Sequence, residues 1–92
     1  MTMPIPANIK PLPRTALEPV CETLAEVIRE RREACGLSLN RLAELTRLSR
    51  TMLSFIETHA RIPTIDTIAR ISRALGVPVS KLLAEAEERL QL

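Results

Sequence analysis

The chain has 92 residues, which is room for one domain. Apolar residues make up 46% and charged residues 26%, a globular balance, yet aromatics are only 1% and Phe55 is the single example. The core is therefore aliphatic, and with many Leu, Ala, Glu and Arg and only two glycines the composition predicts an all-α fold. No apolar run approaches the roughly 20 residues of a membrane span, and Pro4 and Pro6 break what resembles a signal-peptide core. A cytoplasmic chain with no membrane partner is expected. The net charge of +2 is unevenly placed: between Arg29 and Arg73 nine arginines face five acids, a local balance of +4, and both flanks are acidic.

In chain order, residues 1–18 read as a proline-rich arm. Pro4, Pro6, Pro11 and Pro13 favour an extended, polyproline-like course, with Lys10 and Arg14 adding charge. Such an arm can follow a DNA groove, lie on a partner subunit, or remain a disordered terminus. Residues 19–92 then read as five helices. Pro19 suits a first helical position, and Val20, Leu24, Val27 and Ile28 form a stripe that stops at Gly36, which predicts a helix over 19–34. Ser38 caps a second helix carrying Leu42, Ala43 and Leu45; Ser49 caps a third carrying Met52, Leu53 and Ile56. Pro63 and Thr64 open a fourth, with Ile65, Asp66, Ile68, Ile71 and Leu75, ending at Gly76. Pro78 begins the fifth, whose stripe is Val79, Leu82, Leu83, Ala86 and Leu90.

Metal and catalytic chemistry find little material. One His (His59), one Asp (Asp66) and two Cys cannot assemble a zinc site, so no cofactor and no enzymatic activity are expected. Cys21 and Cys35 lie on one predicted helix, 14 residues apart, hence about 21 Å from each other and too far for a disulfide.

Two short capped helices joined by about three residues must cross steeply, which makes residues 38–58 a helix-turn-helix. Gly36-Leu37-Ser38, Leu42-Ala43, Leu48-Ser49, Leu53-Ser54, Ile56-Glu57, Pro63 and Ala74-Leu75-Gly76-Val77 stand in register. With them the chain resembles the phage-repressor-type helix-turn-helix family of the lambda and Cro repressors, from about Leu24 to Leu83. The resemblance implies a five-helix lambda repressor-like domain that binds double-stranded DNA in transcriptional control, as a dimer. At 100° per residue, Leu53, Ile56 and the Ser49 cap define the inward arc of the recognition helix (about 49–58), with Arg50, Thr51, Ser54 and Phe55 outward or flanking. Carried onto this chain, the family's base-contacting positions fall on Arg50, Thr51 and Phe55, with a loop position at Arg61. Arg50 suits the O6/N7 edge of guanine; a phosphate clamp or a solvated arginine is the alternative.

Phosphate contacts are expected from the first turn of the second helix behind Ser38, from Asn40, Arg41 and Arg47, and from Ser49 and Ser54, with Arg61 and Arg70 weaker candidates. In similar domains the positions of Arg32 and Glu57 pair as a salt bridge, which assigns them to architecture. Three positions depart from the family pattern. Leu39 replaces a phosphate-binding Gln, and Arg47 and His59 replace turn glycines, at about 1 kcal/mol each if the left-handed backbone is kept. Phe55 cannot donate a hydrogen bond. It can meet a thymine methyl, close an edge of the core, or mark a protein contact.

A twofold homodimer reading two half-sites is the usual way to gain affinity. Helix five, through Val79, Leu82, Leu83, Ala86 and Leu90, is one candidate interface, and the segment with Leu17, Val20 and Cys21 is the other; packing of these two segments on each other within one chain is the alternative. The sequence thus supports a DNA-binding regulator first. A protein-interaction module on the same fold, antitoxin- or adaptor-like with a protein partner, is the second reading.

Overall fold

A computed structural model describes Pro4, Asn8 and residues 18–90. The remaining arm residues and Leu17 lie outside the described residues, and with them the extended course expected of the arm. Five helices follow in order: α1 (Pro19–Ala34), α2 (Leu39–Thr46), α3 (Arg50–Glu57), α4 (Ile65–Leu75) and α5 (Val79–Leu90). No strand occurs among the described residues.

Helix starts and stops follow from bonds made within a few residues. Ser38, Ser49 and Thr64 each adopt extended backbone, and each side-chain oxygen accepts the N–H three residues on, from Arg41, Met52 and Thr67. Pro19 opens α1, where its missing N–H goes unused. Helices α1, α3 and α4 end in one motif, in which a left-handed residue and its successor return their N–H groups to carbonyls of the last turn. Gly36 and Leu37 bond Glu33 and Arg32 at 2.9 and 3.1 Å, and Gly76 and Val77 bond Arg73 and Ser72 at 3.1 and 3.0 Å. After α3 the same motif is built with His59 and Ala60, bonding Ile56 and Phe55 at 3.3 and 2.8 Å.

Each helix contributes its apolar stripe to a single aliphatic core. Leu24, Val27 and Ile28 of α1 meet Leu42 of α2, Leu53 and Ile56 of α3, Ile68, Ile71 and Leu75 of α4, and Leu82 and Ala86 of α5. Burying each Leu, Ile or Val side chain contributes about 1.5–3 kcal/mol, and this set replaces the aromatic core the sequence lacks.

Helix α5 lies along α1. Two reciprocal ion pairs tie them: Arg31 to Glu85, with Nε to Oε2 at 3.0 Å, and Arg89 to Glu30, with Nη1 to Oε2 at 2.6 Å. Two of the residues expected at a dimer interface are therefore reassigned. Leu82 and Ala86 are each 0% exposed, because the stripe of α5 is consumed by the chain's own core, and they are not available to a second subunit. Val79, Leu83 and Leu90 remain half-buried at its margin, as do Val20 and Cys21 on α1.

Candidate nucleic-acid interface

Between α2 and α3 the turn has three residues, 47 to 49, and is braced from inside. Buried Thr46 donates its hydroxyl to the Leu42 carbonyl at 2.7 Å, and its oxygen accepts the Leu48 N–H at 3.3 Å. Arg47 supplies the reversal with φ 60 and ψ 30, left-handed backbone in a residue with a Cβ. His59 does the same after α3 with φ 66. Both departures from glycine thus keep the glycine conformation, at roughly 1 kcal/mol each.

The inward side of α3 holds Leu53 and Ile56 at 1% and 2% exposure. Arg50, Thr51 and Phe55 are exposed, while Ser54 and Met52 are half-buried, Met52 against the core. The candidate base-contacting side chains of α3 thus share its exposed side, beginning at its N-terminal residue. Such an eight-residue helix with a free N-terminal face has the dimensions to enter a major groove. Phe55 is 40% exposed, so it lies outside the core as a partly open surface residue. The Phe55 carbonyl also accepts the Arg61 N–H at 3.2 Å, and the Arg61 guanidinium stands 5.8 Å from the Phe55 ring centroid, a cation–π distance. Pairing of this loop with the outer face of α3 has no signal in the sequence, since it depends on how the α3 stop aims the chain.

Charged side chains divide into two groups. Arg32 is clamped by Glu57, with Nε to Oε2 at 2.7 Å and Nη2 to Oε1 at 2.9 Å, and its Nη1 donates to the Leu37 carbonyl at 2.7 Å. The Glu57 hydrogen bond raises the Arg32 pKa further above its ordinary value. Arg70 donates Nε to Asp66 at 2.9 Å and reaches the Thr46 carbonyl at 3.4 Å, where it serves the C-terminal end of α2. Arg29, Arg31 and Arg89 also hold acids. By contrast, among the described residues Arg47, Arg50, Arg61, Arg73 and Lys81 make no ion pair, and the first three flank or begin α3.

Around α2, Ser38, Asn40 and Arg41 are exposed in its first turn. The Ser38 and Ser49 oxygens each accept one capping N–H, which leaves the hydroxyl hydrogen free to donate outward to a phosphate. Arg41 bonds Glu44 through Nη1 at 2.8 Å, an exposed pair that a phosphate can displace. Leu39, half-buried, packs against the core. No group of three or more His, Cys, Asp or Glu that could hold a metal ion occurs among the described residues, and no helix there is long and apolar enough to cross a membrane.

Known proteins share both the sequence and the arrangement. The family model described as helix-turn-helix matches residues 28–82. The transcriptional regulator SutR of Escherichia coli is 35% identical over 68 residues, 74% of this chain but only 38% of SutR. Control protein C.SmaI of Serratia marcescens is 39% identical over 62 residues, 67% of this chain and 74% of that protein. Among solved structures, the clp gene regulator ClgR from Corynebacterium glutamicum superposes with a TM-score of 0.74 at 30% identity, covering 78% of this chain and 77% of that one. The biofilm master regulator SinR, solved in complex with DNA, gives 0.62 at 33% identity over 65% of this chain and 97% of SinR. Matched by that family model over residues 28–82, this chain belongs to the helix-turn-helix family, of the phage-repressor type.

Proposed function

We propose that this chain is a sequence-specific, double-stranded-DNA-binding transcriptional regulator that places α3 in the major groove and acts as a homodimer in the cytoplasm. The observation that carries the reading is the sorting of arginines. Those with acidic partners mostly brace helices, whereas Arg47, Arg50 and Arg61 stand exposed and, among the described residues, without an ion pair, at the turn before α3, its first residue and the loop after it. Relatives named as transcriptional regulators and a neighbour solved with DNA support the same reading.

In this reading Arg50, Thr51, Phe55 and Arg61 meet base edges, while Ser38, Asn40, Arg41, Arg47, Ser49 and Ser54 meet phosphates. The half-buried Val79, Leu83 and Leu90 supply the dimer contact in place of Leu82 and Ala86. Val79 also lines an open cleft with Leu45, Ala69 and Val77, whose wall it shares with Arg47, Asp66, Arg70 and Arg73.

Selection from random duplex DNA with the purified protein, followed by a salt titration, tests the proposal. Enriched half-sites in twofold arrangement, and log affinity falling with log salt at a slope of about −0.9 per phosphate contact, are expected. A protein-contact module on this fold is the second reading, favoured by the exposed Phe55 and by Leu39, which packs against the core and offers no phosphate contact. Absence of any enriched sequence at low salt would overturn the first reading and favour the second.

A further inference from the structure

Phe55 is a large apolar side chain, 40% exposed, on the face of a helix otherwise offered by Arg50 and Thr51. Its backbone is held from both sides. The backbone of α3 carries it, and the loop returns over it through Ala60 and Arg61, whose N–H groups both bond the Phe55 carbonyl at 2.8 and 3.2 Å. Arg61 then stands over the ring at 5.8 Å with no acid to draw it away among the described residues. A ring in this setting has no hydrogen bond to offer a base. In the major groove, what an apolar side chain distinguishes is the C5-methyl group of a pyrimidine, the one alkyl group among the base edges there.

Resting on the DNA-binding reading above, we propose that Phe55 is a specificity-determining residue that selects a 5-methylpyrimidine, with Arg61 as its positioning residue. The base pair facing Phe55 is then T·A. A cytosine there is poorly bound, and cytosine methylated at C5 is accepted in its place, because it presents the same methyl group. The regulator's occupancy of a site carrying C·G at that position therefore responds to cytosine-5 methylation.

The test uses the full chain and the half-site enriched by selection. Each thymine is replaced in turn by deoxyuridine, which removes the methyl group and nothing else. One position per half-site is expected to lose about four-fold in affinity, the worth of one buried methyl-sized group. At that position C·G binds more weakly than T·A, and 5-methylcytosine recovers the methyl group's share of the difference, again about four-fold. Phe55→Ala abolishes the thymine-to-deoxyuridine ratio, Phe55→Leu retains part of it, and Arg61→Ala lowers the ratio as well as the affinity. Phe55 lies outside the core, so circular dichroism should show each variant folded.

A wild-type protein indifferent to every deoxyuridine substitution overturns the proposal while leaving specific DNA binding intact. So does a ratio that survives in Phe55→Ala, which is the outcome expected if Phe55 instead contacts a protein. An Arg61→Ala variant that weakens both duplexes equally makes Arg61 a phosphate contact and removes its positioning role. Failure to enrich any sequence overturns the DNA reading itself.

Discussion

Arg32 on α1 grips Glu57 at the end of α3 with two hydrogen bonds, at 2.7 and 2.9 Å, and spends its third nitrogen on the Leu37 carbonyl that leads into α2. One guanidinium thus ties the end of α1, the entry to α2 and the last turn of the candidate recognition helix. The side chains are only 12% and 6% exposed. Removing one partner strands a charge: Glu57→Leu or Arg32→Leu should each destabilise by about 3–5 kcal/mol in urea unfolding. The double variant should be markedly less harmful than the sum, because no charge is left unpaired. Additive losses would show that the two residues act separately.

Arg47 and His59 predict a gain of stability. Both hold left-handed backbone, at φ 60 and 66, where a Cβ is disfavoured. His59→Gly should raise stability by about 1 kcal/mol without weakening DNA binding. Arg47→Gly should raise it similarly while lowering DNA affinity, since it removes an unpaired guanidinium beside α3. Unfolding midpoints and binding curves on the same two proteins separate these effects; a destabilised His59→Gly would mean that its side chain has a packing role.

Acid should loosen α5 from α1. The Arg31 and Arg89 hydrogen bonds hold the Glu85 and Glu30 carboxyls below their ordinary pKa values. A carboxyl with a lowered folded-state pKa stabilises the fold above its unfolded value, about 4.3 for Glu, and that contribution disappears as pH falls through the folded value. The Glu30→Gln, Glu85→Gln protein should therefore be less stable than wild type at pH 7 and approach it as pH falls below the ordinary carboxylate range. Urea midpoints across that range measure it. A constant gap at all pH values would contradict the sign.

Two arginines should fail in different ways. Arg50→Ala is expected to relax preference at one base position, at about 1–3 kcal/mol of discrimination. Arg41→Ala should weaken binding to every sequence alike and reduce the salt slope by about 1. Because Arg41 is held by Glu44 on the surface, Glu44→Gln should increase non-specific affinity. Sequence-independent loss in Arg50→Ala would exchange its role for a phosphate contact.

For the dimer, Leu82 is a poor probe, being fully buried between helices. Leu82→Glu should unfold the domain, whereas Leu83→Glu, at a half-buried position, should leave a folded chain that sediments as a monomer. A Leu83→Glu protein that remains dimeric would move the interface elsewhere, to the α1 N-terminal segment or the cleft beside α4.

Helix boundaries were legible in the residues themselves, because caps and stops are decided by bonds spanning three to five positions. Ser38, Ser49, Gly36 and Gly76 stand where those bonds require them, and the three-residue turn between two capped helices already implied the helix-turn-helix. Periodicity likewise told which face of each helix is apolar, except at Leu45 and Ile65, which stand 46% and 75% exposed. It did not tell what covers that face. The stripe of α5 reads equally well as a dimer seam or as core, and only its packing on α1 assigns Leu82 and Ala86 to the interior. The sorting of arginines is also tertiary: Arg31 finds Glu85 and Arg89 finds Glu30 across more than fifty residues, and no local rule foretells it. Local sequence thus determined the elements and their polarity. Their mutual packing decided which charges and which apolar side chains remain free to meet a partner, Phe55 and Arg61 among them.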